Sequence, residues 1–331
     1  MKFVQSVAFF GAEHMNTAFK SDSNLERVLR AGHFAFTGEL GPPRGANAAK
    51  IREKAKYLKD KVDAVNITDN QTAMVRMSSW GASIIAIQEG LEPNYQMVCR
   101  DRNRLAMQSD ILAAYANGIR NIVCLSGDHQ DFGDHPDAKG VFDIDSMQLI
   151  HMVKTMRDEG KFACGEEIDE PPRMFIGAAA NPFADPFEFR ARRLAKKVQA
   201  GADFIQTQCI YNMARFREFI LRATDMGLLD TVYLLAGVTP FKSVRMAEYM
   251  QKEVAGMDIP EEILHRLRGV PSESVASEGI QIACEQIAQF REMRGVAGVH
   301  LMAIEWEHRV PEIAERAGLL PRPMIHHATG S

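Results

Sequence analysis

The feature that most constrains the fold is an alternation of short apolar runs with longer helical segments, repeated eight times along 331 residues. Strand-like runs are read at 34–40, 63–68, 95–99, 121–125, 174–179, 203–208, 231–236 and 298–303. Parallel strands need crossover connections of this kind, so the alternation predicts a parallel sheet covered by helices. Eight units favour a closed (β/α)8 barrel, or TIM barrel, in the α/β class. Periodicity alone leaves a doubly wound sheet open.

The chain length is typical of one such barrel with short additions at its ends. Residues 1–32 are predicted to form an N-terminal extension that carries a short helix, with Ser23 as its cap and Gly32 at its end. Residues 33–320 are assigned to the barrel and residues 321–331 to a C-terminal tail.

Composition narrows the class of protein. The chain is 46% hydrophobic and 25% charged, as ordinary globular proteins are, and its net charge is -4. Without a basic excess, a nucleic-acid partner is not expected. No apolar stretch reaches membrane-spanning length, and five scattered cysteines form no CxxC pair. These features predict structural thiols and a cytoplasmic protein that does not associate with membranes.

The carboxyl ends of the strands form the active site of a barrel, and this rule selects candidate residues. Glu39 and Asp128 end the first and fourth strands, and Gln208 ends the sixth. Two carboxylates and an amide at one mouth suit proton transfer beside a developing cation. A carboxylate at a strand end is as often a solvated or capping group. Glu39, however, lies in an apolar strand before Gly41-Pro42-Pro43, where partial desolvation should favour its protonated form.

Three other features of the sequence bear on the kind of site. No GxGxxG follows a strand and no GxxxxGK[ST] occurs, so the usual mononucleotide signatures are missing. A basic cluster at the fifth helix is either a solvated helix face or an anchor for a diphosphate; it comprises Arg190, Arg192, Arg193, Lys196 and Lys197. The His- and Asp-containing loop at 128–137 is interpreted as a lid rather than a metal site, because no helix gives it a ligand face.

Four segments resemble the methylenetetrahydrofolate reductase family, in order and with matching spacing. They are the Glu-x-x-Pro-Pro opening at 38–43, the fourth strand with its Gly-Asp ending at 117–128, the Thr-Gln strand end at 197–208 and the Gly-Val-Thr-Pro turn at 237–240. The resemblance extends from about residue 34 to 304. It implies a flavoenzyme that reduces 5,10-methylenetetrahydrofolate to 5-methyltetrahydrofolate.

By this resemblance, Glu39 is the general acid that assists opening of the folate ring to an iminium ion. Asp128 is the aspartate that stabilises the cation and tunes the flavin, and Gln208 is the amide that binds pterin or nicotinamide. The resemblance also implies FAD as the cofactor, NAD(P)H as the electron donor and an oligomeric protein. The implied FAD contacts are Thr68, Gln96, Ser126, Gly127, Asp128, Phe142, Asp143, Arg193 and Lys197. No metal is expected.

The chain also departs from the family pattern. Gln96, Ser126 and Phe142 stand where several members have His, Arg and Tyr. Val244 replaces an aromatic residue and Trp306 replaces an arginine near the folate tail. The opening of the chain looks more like a branch in anaerobic one-carbon pathways that receives electrons from a partner subunit. Three alternatives therefore stay open: a partner-fed reductase, a flavin-free reductase, and a pterin-binding barrel that transfers a methyl group without redox chemistry.

Overall fold

The computed structural model describes residues 18–254 and 256–325, and within them eight parallel strands close into a barrel in sequence order. The prediction of a (β/α)8 barrel is confirmed, and the doubly wound sheet is excluded. The strands are β1 (Ala35–Leu40), β2 (Ala64–Ile67), β3 (Pro93–Val98), β4 (Asn121–Leu125), β5 (Phe175–Ala180), β6 (Phe204–Cys209), β7 (Tyr233–Val238) and β8 (Gly298–Leu301).

Helices connect the strands and cover the outside of the barrel. They are α1 (Asn24–Arg30), α2 (Ala49–Leu58), α3 (Ser79–Gln88), α4 (Arg104–Ala116), α5 (Ser146–Asp158), α6 (Phe189–Ala200), α7 (Met213–Asp225), α8 (Val244–Glu253), α9 (Glu261–Arg268), α10 (Val275–Arg291) and α11 (Val310–Arg316). The sequence reading placed these elements within a few residues of their bounds but missed α9, a short helix between two recognised ones. No helix in the described ranges is both long and apolar enough to cross a membrane.

Pairing of β1 with β8 closes the barrel, in a register that sets Ala35 beside Gly298. A side chain at Gly298 would not fit, because a Cβ built there lies 2.4 Å from the backbone oxygen of Ala35. Glycine at this position therefore allows the first and last strands to approach closely enough to pair.

Helix α1 seals the end of the barrel where the strands begin, which we call the floor. Its residues Leu25, Val28 and Leu29 are buried in an apolar cluster with Phe175 and Phe204, whose rings stack with centroids 5.2 Å apart. Ser23 caps the helix by accepting a hydrogen bond from the backbone of Glu26. Because the floor is filled with apolar side chains, polar chemistry is left to the opposite end, the mouth.

The sequence boundaries proposed at residues 32 and 320 stay predictions. The helix expected in the N-terminal extension is present as α1, and residues 1–17 and 326–331 lie outside the described part of the chain.

Candidate active site

A cavity of about 540 Å³ opens at the mouth of the barrel. This volume is within the usual range for small-molecule sites. Residues from every strand except β7 line it, together with one face of α6. Seven residues predicted from sequence are among those that line it: Glu39, Gln96, Ser126, Asp128, Arg193, Lys197 and Gln208.

Glu39 lies one residue before the end of β1, and only 8% of its surface is exposed. The expectation of a desolvated carboxyl group is therefore met by its burial. Its Oε2 atom lies 3.6 Å from Nε2 of His300 on β8, a residue that is also buried and also lines the cavity. A carboxyl group and an imidazole thus form a pair at the centre of the mouth.

A network of amides lies directly beneath this pair. Asn66 donates to Oε1 of Gln206 at 2.7 Å and accepts from Gln206 at 3.0 Å and from Asn94 at 2.9 Å. The Asn66 amide nitrogen also lies 3.3 Å from Nε2 of His300, whose Nδ1 lies 3.0 Å from the Thr37 hydroxyl. Barrel interiors are usually filled with bulky aliphatic residues, so this polar layer is a specific feature of the site.

Asp128 and Gln208 approach the same cavity from different strands. Asp128 follows β4 and its backbone oxygen accepts a hydrogen bond from the guanidinium of Arg100 at 3.0 Å. Gln208 lies in β6, where its side-chain oxygen accepts from the backbone of Cys209 at 3.2 Å. The amide nitrogen of Gln208 is thereby directed away from its own strand. The structure thus brings together the three residues predicted to be catalytic.

Cationic side chains of α6 form one wall of the cavity. Arg190, Arg193 and Lys197 line it, and Lys197 donates a hydrogen bond to the backbone oxygen of Ala179 in β5. Burial, with a further contribution from the neighbouring charge of Arg193, lowers the pKa of Lys197 to about 8. An ammonium group desolvated in this way gains from an anion placed beside it.

Four predicted cofactor contacts lie outside the set that lines the cavity. Thr68 is buried, and its hydroxyl has no hydrogen-bond partner within the described residues. Gly127 has a φ of +87°, and a Cβ there would crowd Val98 and Arg100. Phe142 is partly exposed, with a φ of 39°.

Asp143 is the fourth, and it pairs with Arg104 of α4 at 2.8 Å. Its hydrogen bonds from Arg104 lower the pKa of the carboxyl to about 2. The side chain is therefore a fixed anion at the start of α4, and its predicted contact with a cofactor stays a prediction.

The loop interpreted as a lid is tied to its neighbours. Asp134 pairs with Arg44 and accepts a hydrogen bond from the backbone of Val75 at 3.2 Å. Gly133 packs so closely on the loop after β2 that a Cβ would lie 1.9 Å from the backbone oxygen of Ala73. Across the described residues, no group of three His, Cys, Asp or Glu side chains could hold a metal ion.

Sequence reasoning missed His300 and the amides Asn66, Asn94 and Gln206. The signal was present for three of them, since Asn66, Gln206 and His300 are polar residues inside predicted strands, whereas Asn94 lies one residue before the strand predicted at 95–99. Side chains two positions apart in a strand share a face, so Gln206 faces the interior with Gln208, and His300 with Met302. A search for polar residues two positions before a predicted mouth residue in the same strand could therefore have identified residues of this layer.

The mouth of this closed barrel combines a buried acid, an amide layer and a cationic wall. This architecture is that of an enzyme that acts on a small molecule. The sequence matches the family model described as methylenetetrahydrofolate reductase over residues 24–318. This match covers most of the chain, which therefore belongs to the methylenetetrahydrofolate reductase family.

Individual relatives are distant. A probable methylenetetrahydrofolate reductase (NADPH) from Caenorhabditis elegans is 23% identical over 310 residues, covering 89% of this chain and 44% of the relative. A 5,10-methylenetetrahydrofolate reductase from Salmonella typhimurium is 22% identical over 320 residues, covering 93% of this chain and 98% of the relative. The chain thus spans less than half of the nematode protein and nearly all of the bacterial one.

Among solved structures, the chain is similar to an uncharacterized protein from Clostridium thermocellum that binds two copies of 5-methyl-5,6,7,8-tetrahydrofolic acid. The TM-score is 0.58 at 13% identity, and the match covers 90% of this chain and 99% of the other. At this identity the similarity shows the barrel fold alone.

Proposed function

We propose that this chain reduces 5,10-methylenetetrahydrofolate to 5-methyltetrahydrofolate with the help of a bound flavin, and that Glu39 is the general acid. The single observation that carries the proposal is that Glu39, Asp128 and Gln208 line one cavity whose far wall is cationic. Membership in the reductase family supports the choice of substrate.

The residues present fit an anionic flavin nucleotide such as FAD. Arg190, Arg193 and Lys197 would hold the diphosphate, and Gln96 and Ser126 would offer polar contacts along the cavity. When bound, the flavin supplies the hydride, and the protein provides binding, orientation and charge.

Glu39 would move the proton that opens the folate ring. A protonated carboxyl can donate its proton to the departing ring nitrogen, so that the nitrogen does not leave as an anion. Asp128 would stabilise the positive charge that develops on the one-carbon unit. The amide nitrogen of Gln208, which its own strand leaves free to donate, would orient the pterin ring.

The proposed electron donor is NAD(P)H, and an absorbance spectrum of the purified protein tests both flavin and donor. Oxidised-flavin bands near ~450 nm that bleach on anaerobic addition of NADH or NADPH would support a self-sufficient reductase. Bands that bleach only with dithionite would point to an electron-delivering partner protein. A colourless, folded protein would overturn the flavin part of the proposal and favour a flavin-free reductase or a methyl-transfer barrel.

A second experiment tests the acid. We expect Glu39→Gln to retain flavin and its reduction, yet to slow folate reduction by roughly 10²–10⁴-fold, the usual contribution of a general acid. Glu89→Gln, at the end of α3 and paired with Arg52 on the outside of the barrel, is the matched control. Folate turnover at the control's rate in Glu39→Gln would overturn the assignment of Glu39.

A further inference from the structure

We propose that His300 is a positioning residue that keeps a proton on Glu39, and that the amide layer beneath the pair selects the imidazole tautomer that does so. The kinetic part of this inference rests on the proposed role of Glu39 as an acid. The structural part, the tautomer of His300, does not depend on the function.

The pair is enclosed on the floor side and open only toward the cavity. His300 is 3% exposed and its ring nitrogens have different neighbours: Nδ1 faces the hydroxyl of Thr37, and Nε2 faces both the amide of Asn66 and the carboxyl of Glu39. The 3.6 Å distance from Nε2 to Glu39 is longer than a hydrogen bond. Catalytic contacts of this kind often shorten only when substrate is bound.

The surrounding donors and acceptors determine which nitrogen carries the hydrogen. The Thr37 hydroxyl accepts a hydrogen bond from Nε2 of Gln206 at 3.3 Å and lies 3.4 Å from the backbone oxygen of Val299, to which it can donate. One lone pair of the hydroxyl is therefore left to accept from Nδ1. The oxygen of the Asn66 amide is already used by Asn94 and Gln206, so its NH₂ group faces Nε2. Neutral His300 therefore carries its hydrogen on Nδ1 and presents a bare Nε2.

A bare Nε2 has a definite effect on Glu39. It can accept a hydrogen bond from a protonated carboxyl group, and because both residues are buried, this neutral pair avoids the desolvation cost of the carboxylate–imidazolium pair that proton transfer to Nε2 would form. The opposite tautomer, with hydrogen on Nε2, would favour the carboxylate. In turnover, Glu39 transfers its proton to the departing nitrogen and becomes a carboxylate, while His300 stays neutral. One proton from the bulk solvent, which reaches Glu39 through the open cavity, then restores the pair.

Other titratable groups around the cavity enter the pH dependence. They are Cys124 on β4, Asp128 in the loop after β4, Cys209 on β6, and Arg190, Arg193 and Lys197 on α6. Burial raises the pKa of the Cys209 thiol to about 12 and raises that of Cys124 well above its ordinary value, so both stay neutral at working pH. Lys197 titrates near pH 8, and a Lys197→Arg background removes that transition.

The first test is nitrogen NMR of protein labelled with ¹⁵N-histidine, with the His300 signals assigned by their loss in His300→Gln. We expect a protonated Nδ1 and an unprotonated Nε2 in the wild type. Asn66→Asp replaces the NH₂ group that faces Nε2 with a second acceptor, and should shift the hydrogen to Nε2. Hydrogen on Nε2 in the wild type would overturn the inference, whether or not the protein reduces folate.

The second test is the pH profile of folate reduction in a single turnover of dithionite-reduced protein in the Lys197→Arg background. In Asn66→Asp and His300→Ala, we expect the pH at which the rate falls to half to drop by at least about one unit, which is tenfold in rate on the alkaline side. His300→Gln, which can place an amide oxygen near the Nε2 position, should recover part of this loss.

A uniform rate decrease with an unchanged pH profile would mean that His300 is merely structural, and would overturn the inference. Because Asn66→Asp introduces a buried charge, Asn66→Ala serves as the variant that removes the donor without one. Turnover by Glu39→Gln at the wild-type rate would instead defeat the proposed function and leave the tautomer result standing.

Discussion

The ammonium group of Lys197 donates a hydrogen bond to the backbone oxygen of Ala179, and this contact connects α6 to the end of β5 at the wall of the cavity. The lysine is more than nine-tenths buried, and its pKa is lowered to about 8 chiefly by burial and secondarily by Arg193. The charge is therefore held in an environment that disfavours it. Such a site favours the binding of an anion beside the lysine. Two measurements, of stability and of ligand affinity, test this property.

The stability of the protein without ligand should rise with pH through this group. Because the folded pKa is lowered to about 8 from 10.5, the unfolded chain binds more protons between these values, and stability increases across that window. The gain is on the order of 3 kcal/mol. Urea unfolding of the wild type and of Lys197→Met from pH 7 to 10.5 should show this increase as a difference between the two. Parallel curves would contradict the assignment.

The affinity for FAD should weaken as Lys197 loses its proton. Binding of the diphosphate requires the charged form, so the Kd should rise roughly tenfold for each pH unit above 8. Lys197→Arg stays charged throughout this range and should show little dependence on pH. The measurement is a fluorescence titration of apoprotein with FAD. An equally steep dependence in the arginine variant would show that another group is responsible.

Asp128→Asn should affect chemistry rather than folding. The side chain of Asp128 is exposed to the cavity, and substitutions at exposed positions usually change stability by less than about 0.5 kcal/mol. Loss of a charge beside the developing cation should slow folate reduction roughly 10–100-fold. Asp131→Asn, in the adjacent loop with a largely exposed side chain, is the control. Insoluble Asp128→Asn protein would instead indicate a structural role.

Gly177→Ala should destabilise the floor without changing the mouth. A Cβ at Gly177 would lie 2.3 Å from the ring of Phe204, and overpacking of this kind costs about 1–3 kcal/mol. Phe204→Leu in the same chain should recover part of that loss, because the shorter side chain vacates the space. Urea midpoints of the two single variants and the double variant measure this coupling. Simple additivity would mean that the ring moves aside at no cost.

The fold was largely predictable because each strand is a short apolar run and each crossover a recognisable helical segment. The sequence pattern did not reveal helix α9, because this helix consists of only two amphipathic turns between two longer helices. Its buried residues are only Leu264 and Leu267. The periodicity of hydrophobic residues is a weak signal over so short a segment. The helical conformation of this segment is determined by its packing against α8 and α10.

The mouth residues were predictable from the rule that catalytic groups follow barrel strands, and the cavity contains Glu39, Asp128 and Gln208 as expected. The pairing of Glu39 with His300 could not be read from sequence, because the two residues are 261 positions apart and meet only when β1 pairs with β8. The family resemblance suggested Asp143 as a cofactor contact, and the sequence could not show that Arg104 pairs with it; the predicted contact itself stays a prediction.

The two ends of the described chain both lie at the floor. Lys20 pairs with Asp203 just before β6, and Arg322 pairs with Asp63 just before β2. Both carboxylates precede the strands whose opposite ends form the mouth. At Lys20 and Arg322 the described part of the chain therefore runs on the side of the barrel away from the cavity. A surface or a second protein that contacts the barrel at these two residues would thus leave its cavity facing the surrounding solution.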